Sequence, residues 1–265
     1  MNLSDHVVLI LGASRGIGRD MAVALGAAGA KVGVAARSEV EPDPRLPGTI
    51  GSVAQEIIDA GGEAIAIRAD ATKDEDLEAM VTATVARFGK LTAFIYNPSV
   101  LIPGTTRSVQ ARHLDLLWRL NLRSPILAIR NTLDPIKAAG GGHVVYVSSS
   151  AGLFPGPGPY SEAQQERARR GGAFYGMTKA GFERYAQSLA GEVQGDNIAV
   201  NVLSPKGLIK TPGNRFFSSS KENPDLDFEV GVNMQKSICW LLAQEPQQYT
   251  GNILFDDDLV AERGL

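Results

Sequence analysis

Tyr175 and Lys179 lie four residues apart in Tyr175-Gly-Met-Thr-Lys179. On a helix that spacing stacks them on one face, one turn apart, and sets a phenol beside an ammonium. A free phenol titrates near ~10, too high to exchange protons usefully at neutral pH. A fixed cation beside it favours the phenolate and lowers that value. The pair predicts a general acid or base, although Tyr and Lys fall four apart by chance in many helices. A second cluster, Gly12-Ala-Ser-Arg-Gly-Ile-Gly18, reads Gly-x3-Gly-x-Gly. Between a strand and a helix, such a turn offers backbone N–H groups and the positive end of the helix dipole to a pyrophosphate. Gly12, Ser14, Arg15, Gly16, Ile17 and Gly18 are the expected phosphate-side residues. Together the clusters point to a bound dinucleotide and a protein group that exchanges a proton beside it.

The stretch Val34-Ala35-Ala36-Arg37-Ser38 bears on which dinucleotide. NAD enzymes place an acid near the end of the second strand to bind the ribose 2′-OH. No carboxylate is available here until Glu39. Arg37 can instead pair with a 2′-phosphate, Ser38 can donate to it, and Arg15 is a second cation. NADP(H) is therefore expected over NAD(H). A solvated surface Arg37 is the plainer alternative.

The elements that must position these groups alternate. Strands are expected at Val7–Leu11, Lys31–Ala35, Ala64–Arg68, Ala93–Tyr96, His143–Val147, Ile198–Leu203 and Ile253–Phe255. Helices are expected at Ile17–Ala28, Val53–Ala60, Asp74–Phe88, Arg112–Ala139, Phe174–Val193 and Val230–Leu242, with Pro125 and Pro135 set to kink or end the fourth. This order predicts one Rossmann-type, doubly wound parallel α/β sheet with helices on both faces and strands buried on both sides. Residues 1–265 read as a single domain. Loops at 38–48, 152–172 and 205–227 should lie at the carboxyl edge of the sheet, where ligands bind.

Composition narrows the classes. The chain has 265 residues, 44% of them hydrophobic, and a net charge of -3 without a basic block. That argues against nucleic-acid or membrane partners. Cys239 is the only cysteine, so no internal disulfide or paired-cysteine metal site can form, and His6, His113 and His143 are too scattered for zinc. The N-terminus lacks the pattern of a signal peptide and no apolar run approaches the ~20 residues of a membrane span. A cytoplasmic location is the default expectation.

The glycine spacing, with Tyr175 and Lys179 downstream, resembles the short-chain dehydrogenase/reductase family over essentially the whole chain. The resemblance implies further roles. Asp70, with Ala71 beside it, matches the adenine-side position. Asn97 matches the first Asn of an Asn-Asn-Ala-Gly motif that here reads Asn97-Pro-Ser-Val100. Asn121 matches the helix asparagine, which holds a water linked to Lys179. Ser149 matches the catalytic serine, placed to bond the substrate oxygen. Lys179 is implied to bind the nicotinamide ribose as well as to lower the pKa of Tyr175. The family's Pro-Gly is Pro205-Lys206 here, and Ile209 and Thr211 are candidates for the carboxamide and phosphates. Pro44–Ile50, Ser204–Lys206 and Thr250–Asp256 resemble the hydroxysteroid dehydrogenase-like protein 2 branch, without its sterol-carrier domain. A lipophilic alcohol or carbonyl substrate and a homodimer or homotetramer follow from that resemblance.

Ser149 and Tyr175 are 26 residues apart, wider than the family's usual dozen or so, so Phe154–Gly172 reads as an insertion. Glu162–Arg170 within it is expected to form a short helix, and the insertion is either a lid or a solvated loop. Leu101, Leu153, Phe154 and Phe216 are expected around an apolar pocket. His113 and Trp118 should lie on a structural stripe, and Asp256-Asp257-Asp258 should be a solvated turn. The alternatives to a carbonyl reductase are an enoyl reductase, disfavoured by the Tyr-Lys spacing, and a dinucleotide-binding regulator without turnover.

Overall fold

The computed structural model describes residues 1–209, 211–213 and 231–265. Phe216 and most of the loop expected at 205–227 fall outside the described residues. Seven parallel strands form one sheet: β1 (Val7–Leu11), β2 (Lys31–Ala36), β3 (Glu63–Arg68), β4 (Ala93–Tyr96), β5 (Gly142–Val147), β6 (Ile198–Ser204) and β7 (Ile253–Phe255). Their spatial order is β3-β2-β1-β4-β5-β6-β7. The order reverses at β1, which pairs with both β2 and β4. That reversal opens the crevice in which doubly wound sheets bind ligands.

The two faces of the sheet are covered by different helices, as the alternation of side chains along a strand requires. Val8 and Ile10 pack with Met21 and Leu25 of α1 (Gly16–Ala27), Ile57 of α2 (Ile50–Asp59) and Met234 of α8 (Val232–Leu242). Leu9 and Leu11 pack on the other face with Leu77 of α3 (Asp74–Phe88), Ile129 of α5 (Ser124–Ala138) and Phe182 of α7 (Ala173–Val193). β1, β5 and β6 are buried along their whole length. β3 departs from the expectation of two buried faces: it is an edge strand, and Glu63, Ala66 and Arg68 are exposed.

Helix ends follow local chemistry. Thr49 and Ser52 form a reciprocal capping box at the start of α2. Asp74, Glu75 and Asp76 sit in the first turn of α3, where the dipole favours anions, and Gly89 ends it at φ 82.

The helix expected at Arg112–Ala139 is three pieces. α4 (Ala111–Trp118) passes into a π turn, Arg119–Arg123, and then α5. Pro125 explains the break: it has no N–H to give to the carbonyl four residues back, which is that of Asn121. Pro135 lies inside α5 without ending it. Asp256–Asp258 also departs from expectation. These residues open a helix, α9 (Asp256–Arg263), and Asp256 is buried, accepting the Lys206 and Asp257 N–H groups. α6 (Glu162–Arg169) forms inside the insertion, capped by Ser161 and Gln164. No helix of the described residues is long and apolar enough to cross a membrane.

Candidate functional site

A cavity of about 510 Å³ runs along the carboxyl ends of β1 to β4. Gly12, Ser14, Arg15, Gly16, Ile17, Arg37, Ser38, Asp70, Ala71, Asn97 and Thr211 all line it. Gly18 lies just behind the wall: a Cβ there would sit 2.2 Å from the Gly12 carbonyl oxygen and 2.7 Å from Asn97 Nδ2. Gly12 has φ +87, and a Cβ on it would meet Pro98 at 2.9 Å. Asn97 Nδ2 donates to the Gly12 carbonyl at 2.9 Å, so the residue after β4 braces the turn after β1. Pro205 is half-buried outside the lining, and Ile209 is buried in the core against α8's approach.

One corner of the cavity is cationic. Arg15 Nη2 donates to Ser38 Oγ and to the Gly48 carbonyl, each at 2.9 Å. Arg15 Nε is buried with no hydrogen-bond partner. Burial lowers the Arg15 pKa, Glu41 opposes that, and the nearby charge of Arg37 adds to it. Arg37 itself is exposed. Burial works against the charge of Asp70, but two bonds from Thr72, at 2.9 and 2.8 Å, and the charge of Arg37 outweigh it and hold the carboxyl below its usual range. Two guanidinium groups, a hydroxyl and an unmet N–H at one end of a glycine-lined trough fit a phosphorylated dinucleotide.

Ser149, Tyr175 and Lys179 do not line the cavity; Ser99 connects it to Tyr175. Ser99 lines the cavity, and the hydroxyls of Ser99 and Ser149 face the Tyr175 phenol and favour its ionised form. Burial is the larger influence and raises the Tyr175 pKa. This reverses the expectation that Lys179 pulls it down. The reason is where the ammonium points. Lys179 Nζ donates to the Val147 carbonyl at 2.8 Å and to Tyr146 Oη at 3.2 Å, and lies 5.6 Å from the Tyr175 ring centroid. Lys179 is 1% exposed, and burial brings its pKa down to about 7, against the opposing charge of Glu183. Glu183 in turn accepts from Ser148 Oγ at 2.5 Å.

Asn121 is fully buried on the π turn. Its side-chain oxygen accepts from Val100 N at 2.9 Å and Ser99 Oγ at 3.2 Å, and its amide donates to the Val100 carbonyl and Thr178 Oγ1 at 2.9 and 3.1 Å. The side chain thus fixes the loop after β4. Its link to Lys179 runs through its main-chain carbonyl, which accepts from Tyr146 Oη at 3.2 Å.

Residues 6–222 match the family described as short chain dehydrogenase. The chain belongs to that family. Human (Homo sapiens) hydroxysteroid dehydrogenase-like protein 2 is 28% identical over 264 residues, which cover 99% of this chain and 59% of the relative. The Danio rerio protein of that name is 27% identical over 268 residues, covering 99% of this chain and 60% of the relative. The chain therefore spans under two thirds of the length of these relatives. A short chain dehydrogenase from Mycobacterium thermoresistibile superposes at a TM-score of 0.83 with 28% identity, covering 100% of this chain and 89% of that one. A short chain dehydrogenase from Burkholderia cenocepacia J2315, solved in complex with NADP, shares the fold at a TM-score of 0.79 and 21% identity, covering 96% and 97%.

Three site residues of this short-chain dehydrogenase escape a motif-based reading. Ser99 occupies a position where the motif departs from Asn-Asn-Ala-Gly, so the motif points away from it. Tyr146 sits in a strand that reads simply as apolar. Glu183 is legible only by continuing the helical stripe one turn beyond Lys179.

Proposed function

We propose that this short-chain dehydrogenase is an NADP(H)-dependent oxidoreductase acting on a secondary alcohol, ketone or aldehyde, with Tyr175 as general acid and base. The observation that carries this assignment is that Ser99, a wall residue of a trough with a cationic corner, also adjoins the Tyr175 phenol together with Ser149. Gly12, Ser14, Gly16, Ile17, Asn97 and Thr211 would hold the phosphates and nicotinamide half, Arg15, Arg37 and Ser38 a 2′-phosphate, and Asp70 and Ala71 the adenine side. When bound, the dinucleotide supplies the hydride in reduction and accepts it in oxidation. In reduction, Ser149 hydrogen-bonds the carbonyl oxygen of the substrate and Tyr175 gives that oxygen its proton. The Ser99 and Ser149 hydroxyls, which favour the ionised form, stabilise the phenolate left behind. In oxidation, the Tyr175 phenolate removes the hydroxyl proton.

The NADP found with the B. cenocepacia neighbour and the absence of a carboxylate from Val34–Ser38 support the choice of NADP(H). The names of the human and Danio rerio relatives, and exposed Leu101, Leu153 and Phe154, support a lipophilic substrate. We assign residues 1–265 to one domain. Trp118, 61% exposed on α4, fits burial in a homodimer or homotetramer. The alternative, a dinucleotide-binding regulator, is favoured by one observation: Lys179 directs its N–H groups to Tyr146 and Val147. Consumption of NADPH against a panel of carbonyl compounds, wild type beside Tyr175→Phe, separates the two. Turnover lost in the variant supports the oxidoreductase; no turnover with any carbonyl supports the regulator.

A further inference from the structure

Behind the Tyr175–Lys179 pair lies a chain of contacts that starts at a proline. Pro125 cannot donate to the Asn121 carbonyl, so a buried acceptor is left open inside the helix. The Tyr146 hydroxyl fills it, donating at 3.2 Å. Having given its only proton to that carbonyl, the same hydroxyl is oriented to accept, and it takes an N–H of Lys179 at 3.2 Å. The Tyr146 ring is held by stacking, with the Phe182 centroid 3.8 Å away and that of Tyr96 at 5.9 Å. The ammonium also lies 4.6 Å from the Tyr146 centroid.

We propose that Tyr146 is a positioning residue of the active site, whose hydroxyl, oriented by the Asn121 carbonyl, fixes the place and the protonation of the Lys179 ammonium. This deepens the assignment of Tyr175 as the proton donor and rests on it for its catalytic meaning. Lys179 is completely buried, so each acceptor it has in the protein bears on whether it stays charged. Its acceptors are the Val147 carbonyl and the Tyr146 hydroxyl. The titratable groups facing it are Tyr146 from β5 and Tyr175 and Glu183 from its own helix, with Tyr96 of β4 behind Tyr146. The π turn brings the uncharged Asn121, the short turn Ser150–Gly152 brings the Ser149 hydroxyl at its cap, and β6 carries no titratable side chain.

Tyr96 supplies an internal control. Its hydroxyl donates to the neighbouring Leu120 carbonyl at 2.7 Å, so it supports the same π turn from the same stack but gives no bond to Lys179. A purely structural role for Tyr146 would make Tyr146→Phe and Tyr96→Phe alike.

The test is a pH titration of Lys179 by NMR in full-length protein carrying isotope-labelled lysine Cε, with the resonance assigned through Lys179→Arg. Loss of a hydrogen bond to the charged form should move the Lys179 midpoint in Tyr146→Phe to lower pH by about one unit. Tyr96→Phe should titrate with wild type. A ring-fluorinated tyrosine at position 146 keeps the volume but weakens the acceptor, and should move the midpoint the same way by less. A midpoint unmoved in both position-146 variants, or moved equally by Tyr96→Phe, overturns the proposal. The fluorinated variant decides the matter where Tyr146→Phe does not fold. Because the titration needs no turnover, Tyr175→Phe retaining full NADPH consumption would refute the role of Tyr175 while leaving the Tyr146 result to stand or fall by itself.

Discussion

The guanidinium of Arg15 bridges to the hydroxyl of Ser38 at 2.9 Å, joining the glycine turn after β1 to the loop after β2. The same guanidinium reaches the Gly48 carbonyl, so both ends of that loop meet the glycine turn at one cation. Arg37 adds a second, exposed cation at this corner. Arg37→Ala should weaken NADPH binding by ~10- to 100-fold, the range of a lost charge-assisted bond. NADH binding should change by ~3-fold or less, because it has no 2′-phosphate. Fluorescence titration with both cofactors checks this, and equal losses would contradict a 2′-phosphate site at Arg37.

Gly18 faces the Gly12 carbonyl too closely for any side chain. Gly18→Ala should lower stability by ~1–3 kcal/mol through overpacking and displace the turn that lines the cavity. Gly191→Ala, in α7 with open space around it, should raise stability by up to ~1 kcal/mol. Urea unfolding of the two variants beside wild type would show opposite shifts in midpoint.

Asn121 holds both main-chain polar groups of Val100. Asn121→Ala leaves them unpaired and should lower stability by ~1–3 kcal/mol while reducing NADPH consumption. Activity loss with unchanged stability would show that the amide acts on the chemistry without bracing the loop.

His143 is buried, its Nδ1 has no partner, and its ring lies 5.9 Å from that of His6. Burial, then the charge of His6, brings its pKa down to about 4. Between about 4 and the ordinary histidine value the unfolded chain binds the proton that the folded chain refuses, so stability is full above that window and falls as pH drops through it. The loss is on the order of 3 kcal/mol. Thermal melts from pH 7 to 4.5 should show a shallower decline in His143→Leu than in wild type; parallel slopes would exclude His143 as the source.

The insertion carries a helix with no buried residue. If the insertion closes over substrate, deletion of 161–169 should raise KM and lower kcat for any carbonyl that the wild type reduces. Unchanged constants would make it a solvated loop.

The strands were the most legible part of the chain, because the interior of a parallel sheet needs uninterrupted apolar runs such as Val7–Leu11. The cavity wall was legible for the same kind of reason: glycine, arginine and serine at a βα turn are read from type and position. The π turn was not, since its cause lies in the pairing of Pro125 with two tyrosines from distant strands, and pattern in one segment carries no trace of it. Nor was the direction of the Lys179 ammonium, which depends on an acceptor 33 residues away in sequence. The motif brought Tyr175 and Lys179 to one face but was silent on burial, which dominates both their pKa values. Asp256 misled because adjacent carboxylates look solvated until a helix start and a main-chain donor from Lys206 enclose one of them.

The Gly104 N–H donates to the Gly171 carbonyl at 3.0 Å, while Val100 is clasped by Asn121. Four peptide links separate those anchor points, and an extended chain of that length reaches at most about 14 Å. The inserted segment is thus leashed to the asparagine at the heart of the site. While both clasps hold, the rim at Gly171 cannot move farther from Val100 than that reach, so a larger displacement of the inserted segment must first release the Gly104–Gly171 bond or the grip of Asn121.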